Sequence, residues 1–185
     1  MRGNSWLHRL NRTGLPLLVV RLVVGGLFVY MGILKIRDPA NFLKLVRLYH
    51  VLPESPPYFL NTTAVVLPWL EVMTGLVLIL GLWRRGAGAI AALMLAVFTP
   101  AIFLRTLAIQ HETGTSFFLI KFDCGCGSGP VTAWLKLLEN TGLFALALYM
   151  LFSAFDRFGL DALRTRRRVT SENEGQLTAS AGDLV

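Results

Sequence analysis

The sequence predicts an all-α polytopic membrane protein: a bundle of four transmembrane helices with a short interfacial helix after the first span. Three observations predict it. The chain is 54% hydrophobic and only 16% charged, where soluble domains carry about 25% charged residues. Several apolar runs approach the roughly 20 residues that cross a bilayer as a helix. The lysines and arginines behind the net charge of +7 collect at the ends of those runs, as topology signals do. That placement argues against a nucleic-acid partner.

Residues 1–14 are polar and basic, with Arg2, Arg9 and Arg12. The run that follows is interrupted by Arg21, continues to Leu34 and shows no small-residue cleavage site. It reads as an uncleaved first span over about 15–35 rather than as a signal peptide. Gly25, Gly26 and Gly32 would let a neighbouring helix approach closely. Asp38-Pro39 has the form of an N-cap followed by proline at the first helical position. The helix it opens, 40–51, sets Phe42, Leu45, Val46 and Tyr49 against Asn41, Lys44 and Arg47. It lies on the membrane surface or packs over the end of the bundle. Pro53, Pro56 and Pro57 end it.

Further spans are expected over about 58–82, 86–109 and 131–155. The second has Pro68 as a kink and Glu71 near its middle. Arg84-Arg85 make a tight basic turn. The third carries Pro100 and, near its far end, Arg105. Residues 110–130 read as a polar loop, and the fourth span opens with Lys136, Glu139, Asn140 and Thr141. The membrane domain thus covers 1–163. A tail over 164–185 opens with four arginines and turns polar, a composition expected to be disordered. With both ends in the cytoplasm, that side holds Arg2, Arg9, Arg12, Arg84, Arg85, Arg157 and the four tail arginines. Ten cations there against at most seven on the other side predict this orientation. The loop before the fourth span is then on the outer face.

That loop ends in Asp123-Cys124-Gly125-Cys126-Gly127-Ser128-Gly129-Pro130, which holds both cysteines of the chain. Alpha-carbons two residues apart reach at most roughly 7 Å, and a disulfide spans about 4.4–6.8 Å. A Cys124–Cys126 bridge is therefore possible but strained, which raises its potential. Gly125 eases the backbone, and a helix starting near Pro130 would favour a thiolate through its free amides. A redox-cycling pair is one reading; two inert thiols in a glycine-rich loop is the other. Two thiolates are half of a tetrahedral zinc set. His111 and Asp123 could add to them, but the spacing matches no zinc pattern, so no metal is expected.

Charges inside the bilayer are costly and face partners. Arg21, in the inner half of the first span, could reach up to Glu71. The pair is either a structural ion pair or a proton or quinone-headgroup site. Glu139 and Asn140, about two turns into the fourth helix below the cysteine loop, are the better candidates for a cofactor pocket, since thiol oxidation also releases protons.

These residues, in this order, resemble the DoxX-like membrane proteins and, among them, the methylamine-utilisation MauE type. The resemblance runs over about 17–152. It rests on Arg21, Gly32-x-x-Lys35-x-x-Asp38-Pro39, Tyr49-x-x-x-Pro53, Pro68-x-x-Glu71 with Gly75 and Gly81, Cys124-Gly125-Cys126-Gly127 and Asn140. Two positions depart from the family pattern. Gly127 stands where an aromatic is common, and Glu139 where arginine is common.

The resemblance implies a four-helix bacterial inner-membrane protein tied to disulfide chemistry. Its implied partner is a thioredoxin-like protein or a disulfide-bonded client, and its implied electron acceptor is a quinone or another redox protein. The expected function is thiol–disulfide exchange through Cys124 and Cys126, in maturation or oxidation of a sulfur-containing substrate. The alternative is a non-catalytic membrane subunit that anchors or assembles a redox complex. No pair of broken helices in repeated halves supports a transporter.

Overall fold

A computed structural model describes residues 14–49, 58–123 and 129–153. Four of its helices are long and apolar enough to cross a membrane: α1 (Leu15–Arg37), α3 (Tyr58–Leu80), α4 (Arg84–Thr113) and α5 (Ala133–Phe152). The short α2 (Pro39–Leu48) follows α1 directly. Each long helix buries one stripe at three- and four-residue spacing, such as Leu17, Arg21, Val24, Phe28, Gly32 and Lys35 on α1. At most 39% of any spanning window is buried inside the protein. The remaining residues are largely leucine, valine and aromatic side chains that need lipid for cover.

The α1–α3 contact is the tightest in the bundle, and glycine makes it so. A Cβ on Gly25 would stand 2.7 Å from the Gly75 carbonyl oxygen, and one on Gly75 would stand 2.6 Å from that of Gly25. Seven residues along α1, a Cβ on Gly32 would meet Pro68 O at 2.8 Å. Gly26 faces open space and plays no part in this approach. These contacts fix an antiparallel register in which α1 residue 25 lies opposite 75 and residue 32 opposite 68.

Helix ends follow local chemistry. The Asp38 side chain accepts a hydrogen bond from Asn41 N at 3.0 Å, capping α2 as expected. Helix α3 stops at Leu80, two residues early, because Gly81 turns left-handed at φ 68°. Its amide bonds Leu78 O while Leu82 N bonds Val77 O, the paired closure of a Schellman cap. Helix α4 runs past the expected end at 109 to Thr113, where Gly114 (φ 66°) returns its amide to Gln110 O.

Within the expected polar loop over 110–130, the described residues form regular structure in several places. A 3-10 turn (Phe117–Leu119) packs Phe117 against Phe103 of α4, ring centroids 6.2 Å apart. Strands β1 (Lys121–Asp123) and β2 (Pro130–Thr132) then pair antiparallel, with Asp123 opposite Pro130. Pro130 therefore opens a strand rather than a helix, at a strand-initial position where a missing N–H is tolerated. Helix α5 begins three residues later, and its first amide, Ala133 N, goes to Ile120 O at 3.0 Å. The expectation of a helix N-terminus at Pro130 facing the cysteines is corrected accordingly. The Cys124–Cys126 pair, the basic segment before residue 14 and the 164–185 tail lie outside the described residues.

Candidate functional site

Two buried arginines at one end of the bundle are structural clamps. Arg21, 1% exposed, donates from Nε to Leu78 O at 2.9 Å and from Nη2 to Ile79 O at 3.1 Å. Arg84 donates to Met150 O at 2.6 Å and to Ser153 O at 2.8 Å. Each guanidinium thus takes up carbonyls in the last turn of a neighbouring helix, where the helix dipole favours a cation.

Arg21 accordingly does not pair with Glu71. The carboxylate of Glu71 instead forms a salt bridge with Lys35. The reason lies in the antiparallel register. Helical side chains lean toward their own N-terminus. Lys35 leans back toward the level of Gly32, and Glu71 leans toward Pro68, which stands opposite Gly32. Arg21 leans the same way as Lys35, which at its position carries it away from Glu71, and at 1.5 Å per residue its backbone is about 12 Å along the axis from the residue facing Glu71.

The Lys35–Glu71 pair is almost fully buried, with both side chains under one-tenth exposed. The Lys35 ammonium also stands 5.4 Å from the centroid of Phe42 and 5.5 Å from that of Phe98, within cation–π range. Glu71 Oε1 takes the lysine, while Oε2 is buried with no hydrogen-bond partner among the described residues.

This pair lines a cavity of about 340 Å³. Its walls come from α1, α2, α3, α4 and α5, and its polar groups include Lys35, Tyr49, Glu71 and Asn140. Helix α2 contributes Phe42 and Val46, with Tyr49 at its C-cap, so its apolar face closes the bundle end. Asn140 is buried and lines the cavity. Glu139 is not buried. Its side chain is 41% exposed and bonds Lys136 Nζ at 3.0 Å, because consecutive helical residues do not share a face.

Tyr49 links the cavity to the hairpin. Burial, and then the Asp123 carboxylate, push its phenol well above the usual range, with Arg105 opposing. Asp123 ends β1 and immediately precedes Cys124. Lys35, Tyr49 and Lys136 were missed as site residues from sequence, the lysines having been counted as topology charges at span ends. The signal for Lys35 was its spacing: seven residues after Phe28 and three after Gly32, it continues the buried stripe.

Residues 13–153 match the family model described as "Methylamine utilisation protein MauE". The chain belongs to this family. It is 33% identical over 132 residues to the "Methylamine utilization protein MauE" of Paracoccus denitrificans. That match takes in 70% of this chain and 64% of the relative's length. No solved structure matches. With four apolar spans, the MauE-family chain is a multi-pass membrane protein.

Proposed function

We propose that this MauE-family protein is a thiol–disulfide electron carrier of the inner membrane, with both termini cytoplasmic and Cys124 and Cys126 on the outer face. The charge count along the sequence supports that orientation, and an outer face lets a disulfide persist. A thiolate of a thioredoxin-like partner or of a client attacks the Cys124–Cys126 disulfide and forms a mixed disulfide. The partner's second thiol resolves it. The partner leaves oxidised, and the pair gains two electrons and two protons. Reoxidation passes both to a quinone or to another redox protein. The relative's name suggests the process served, methylamine utilisation, through maturation of a disulfide-bonded client.

The observation that carries this reading is the hairpin register. Asp123 pairs with Pro130, so the two strand residues that flank the cysteines in sequence stand side by side in the ladder. Paired residues in such a ladder have alpha-carbons about 4.5–5.5 Å apart. The strands that carry these two flanking residues pack Phe122 and Val131 near Tyr49.

The test is a titration of the purified full chain against a dithiol buffer, following the cysteines by mass shift. A reversible internal disulfide is expected, with a potential above the roughly −300 mV limit of stable structural bridges. An impermeant thiol reagent should label the reduced pair from the outer face, and Cys124→Ser or Cys126→Ser should abolish function in cells. Thiols that never close, or serine variants with full activity, would leave the anchoring-subunit reading as the better one.

A further inference from the structure

The cavity beside Lys35 and Glu71 has a polar end, an apolar body and an opening toward lipid. The opening is marked by Leu93 and Val97 of α4, which line the cavity yet are 66% and 54% exposed. Thr63 and Leu67 of α3, both half-buried, line the same cavity. Whatever enters there comes from the bilayer interior. A volume of about 340 Å³ is that of a small-molecule site.

The polar end specifies the head group. Each cation already has a carboxylate, Lys35 with Glu71 and Lys136 with Glu139, so a charged head would meet no uncompensated opposite charge. Glu71 Oε2, buried and without a partner among the described residues, is an acceptor that asks for a hydroxyl donor. An acceptor buried without a donor carries a desolvation cost, which a ligand hydroxyl would relieve. The Asn140 amide, for which no hydrogen bond is seen among the described residues, lines the same space and offers both a donor and an acceptor. Phe28, Phe42 and Phe98 supply flat walls beside it.

We infer that the cavity binds a neutral amphiphile whose hydroxyl-bearing head sits between Glu71 and Asn140 and whose apolar tail leaves between α3 and α4 into the bilayer. Two sources share this chemistry, a prenylated hydroquinone and an acyl lipid with a free hydroxyl head. The inference concerns binding alone and stands apart from the thiol chemistry proposed above.

The test uses the full chain in phospholipid nanodiscs, with one-to-one adducts read by native mass spectrometry. Three probes are added separately: a short-tailed prenylated hydroquinone, its dimethyl ether and a monoacylglycerol. Saturable binding of the hydroquinone or of the monoacylglycerol supports the site and names its source. The ether should bind about tenfold or more weakly than the hydroquinone, the factor expected from one lost hydrogen bond to a charged acceptor.

Glu71→Gln strands Lys35 and threatens folding, so two other variants locate the site. Ala101→Phe fills the cavity and leaves both members of the ion pair in the sequence, and Asn140→Leu removes the amide. Both should lose the adduct, and Ala101→Phe should do so while keeping wild-type thermal stability and thiol exchange. Absence of saturable binding by either hydroxyl probe, equal binding of the ether, or unchanged binding in Ala101→Phe would overturn the inference. Cys124→Ser should bind as the wild type does. Failure of thiol exchange with binding intact would therefore sink only the electron-carrier reading.

Discussion

Breaking the Lys35–Glu71 pair should be among the costliest single changes to this protein, and the two halves should not cost the same. Removing one partner of a buried ion pair typically destabilises by about 3–5 kcal/mol, because the other charge stays buried. In Lys35→Met the whole of that cost falls on Glu71, whose second oxygen already lacks a donor among the described residues. In Glu71→Gln the ammonium keeps Phe42 and Phe98, contacts worth about 0.5–2 kcal/mol together with the glutamine oxygen as an acceptor. Lys35→Met should therefore exceed Glu71→Gln by roughly 1–2 kcal/mol. The double variant should cost less than the two singles added, by at least about 2 kcal/mol. Arg21→Gln combined with Glu71→Gln should be additive within about 0.5 kcal/mol, since the bonds seen for Arg21 go to Leu78 and Ile79 and that of Glu71 to Lys35. Equilibrium unfolding in mixed micelles, followed by circular dichroism, measures all of these. Additivity of the Lys35 and Glu71 variants, or strong coupling between Arg21 and Glu71, would refute the geometry described above.

Two further outcomes are expected. Gly75→Ala should destabilise by about 1–3 kcal/mol, because its Cβ would stand 2.6 Å from a backbone oxygen that cannot yield unless α1 and α3 part. Gly26→Ala, facing open space, should be neutral or stabilising by up to about 1 kcal/mol, and an equal loss at both positions in the same unfolding assay would contradict the helix contact. The Tyr49 phenol should stay protonated at pH 10.0, where an ordinary one is half ionised. The unfolded chain then releases this proton first, so the contribution of Tyr49 to stability is full below that pH and declines above it. Comparing alkaline difference spectra of the wild type and Tyr49→Phe checks this, and a Tyr49 signal with an ordinary midpoint would count against its burial.

The sequence by itself determined the spanning helices, the α2 cap and the family. Those features depend on local quantities: an apolar run of bilayer length, an Asp-Pro pair at a helix start, glycines at helical spacing, an ordered set of motifs. The length of α4 and the early end of α3 were less legible, because a glycine that closes a helix reads like one that packs a helix. Gly81 and Gly26 look alike in sequence, and only φ at the one and open space at the other separate them.

The partners of the buried charges were decided by tertiary structure. Sequence placed Arg21 and Glu71 inside the membrane and suggested that they meet. The antiparallel register, with side chains leaning toward their own N-termini, sent Glu71 to Lys35 and Arg21 to the carbonyls ending α3. The same register, with α2 folded over it, brings Lys35, Tyr49, Glu71 and Asn140 from four segments to one cavity. No spacing along the chain encodes that convergence, since it depends on how α1 and α3 approach at Gly25, Gly32 and Gly75 and on which face of α5 turns inward. Glu139 and Asn140 were indistinguishable in sequence for that reason, and the roughly 100° between neighbouring helical positions put one on the surface and the other in the site.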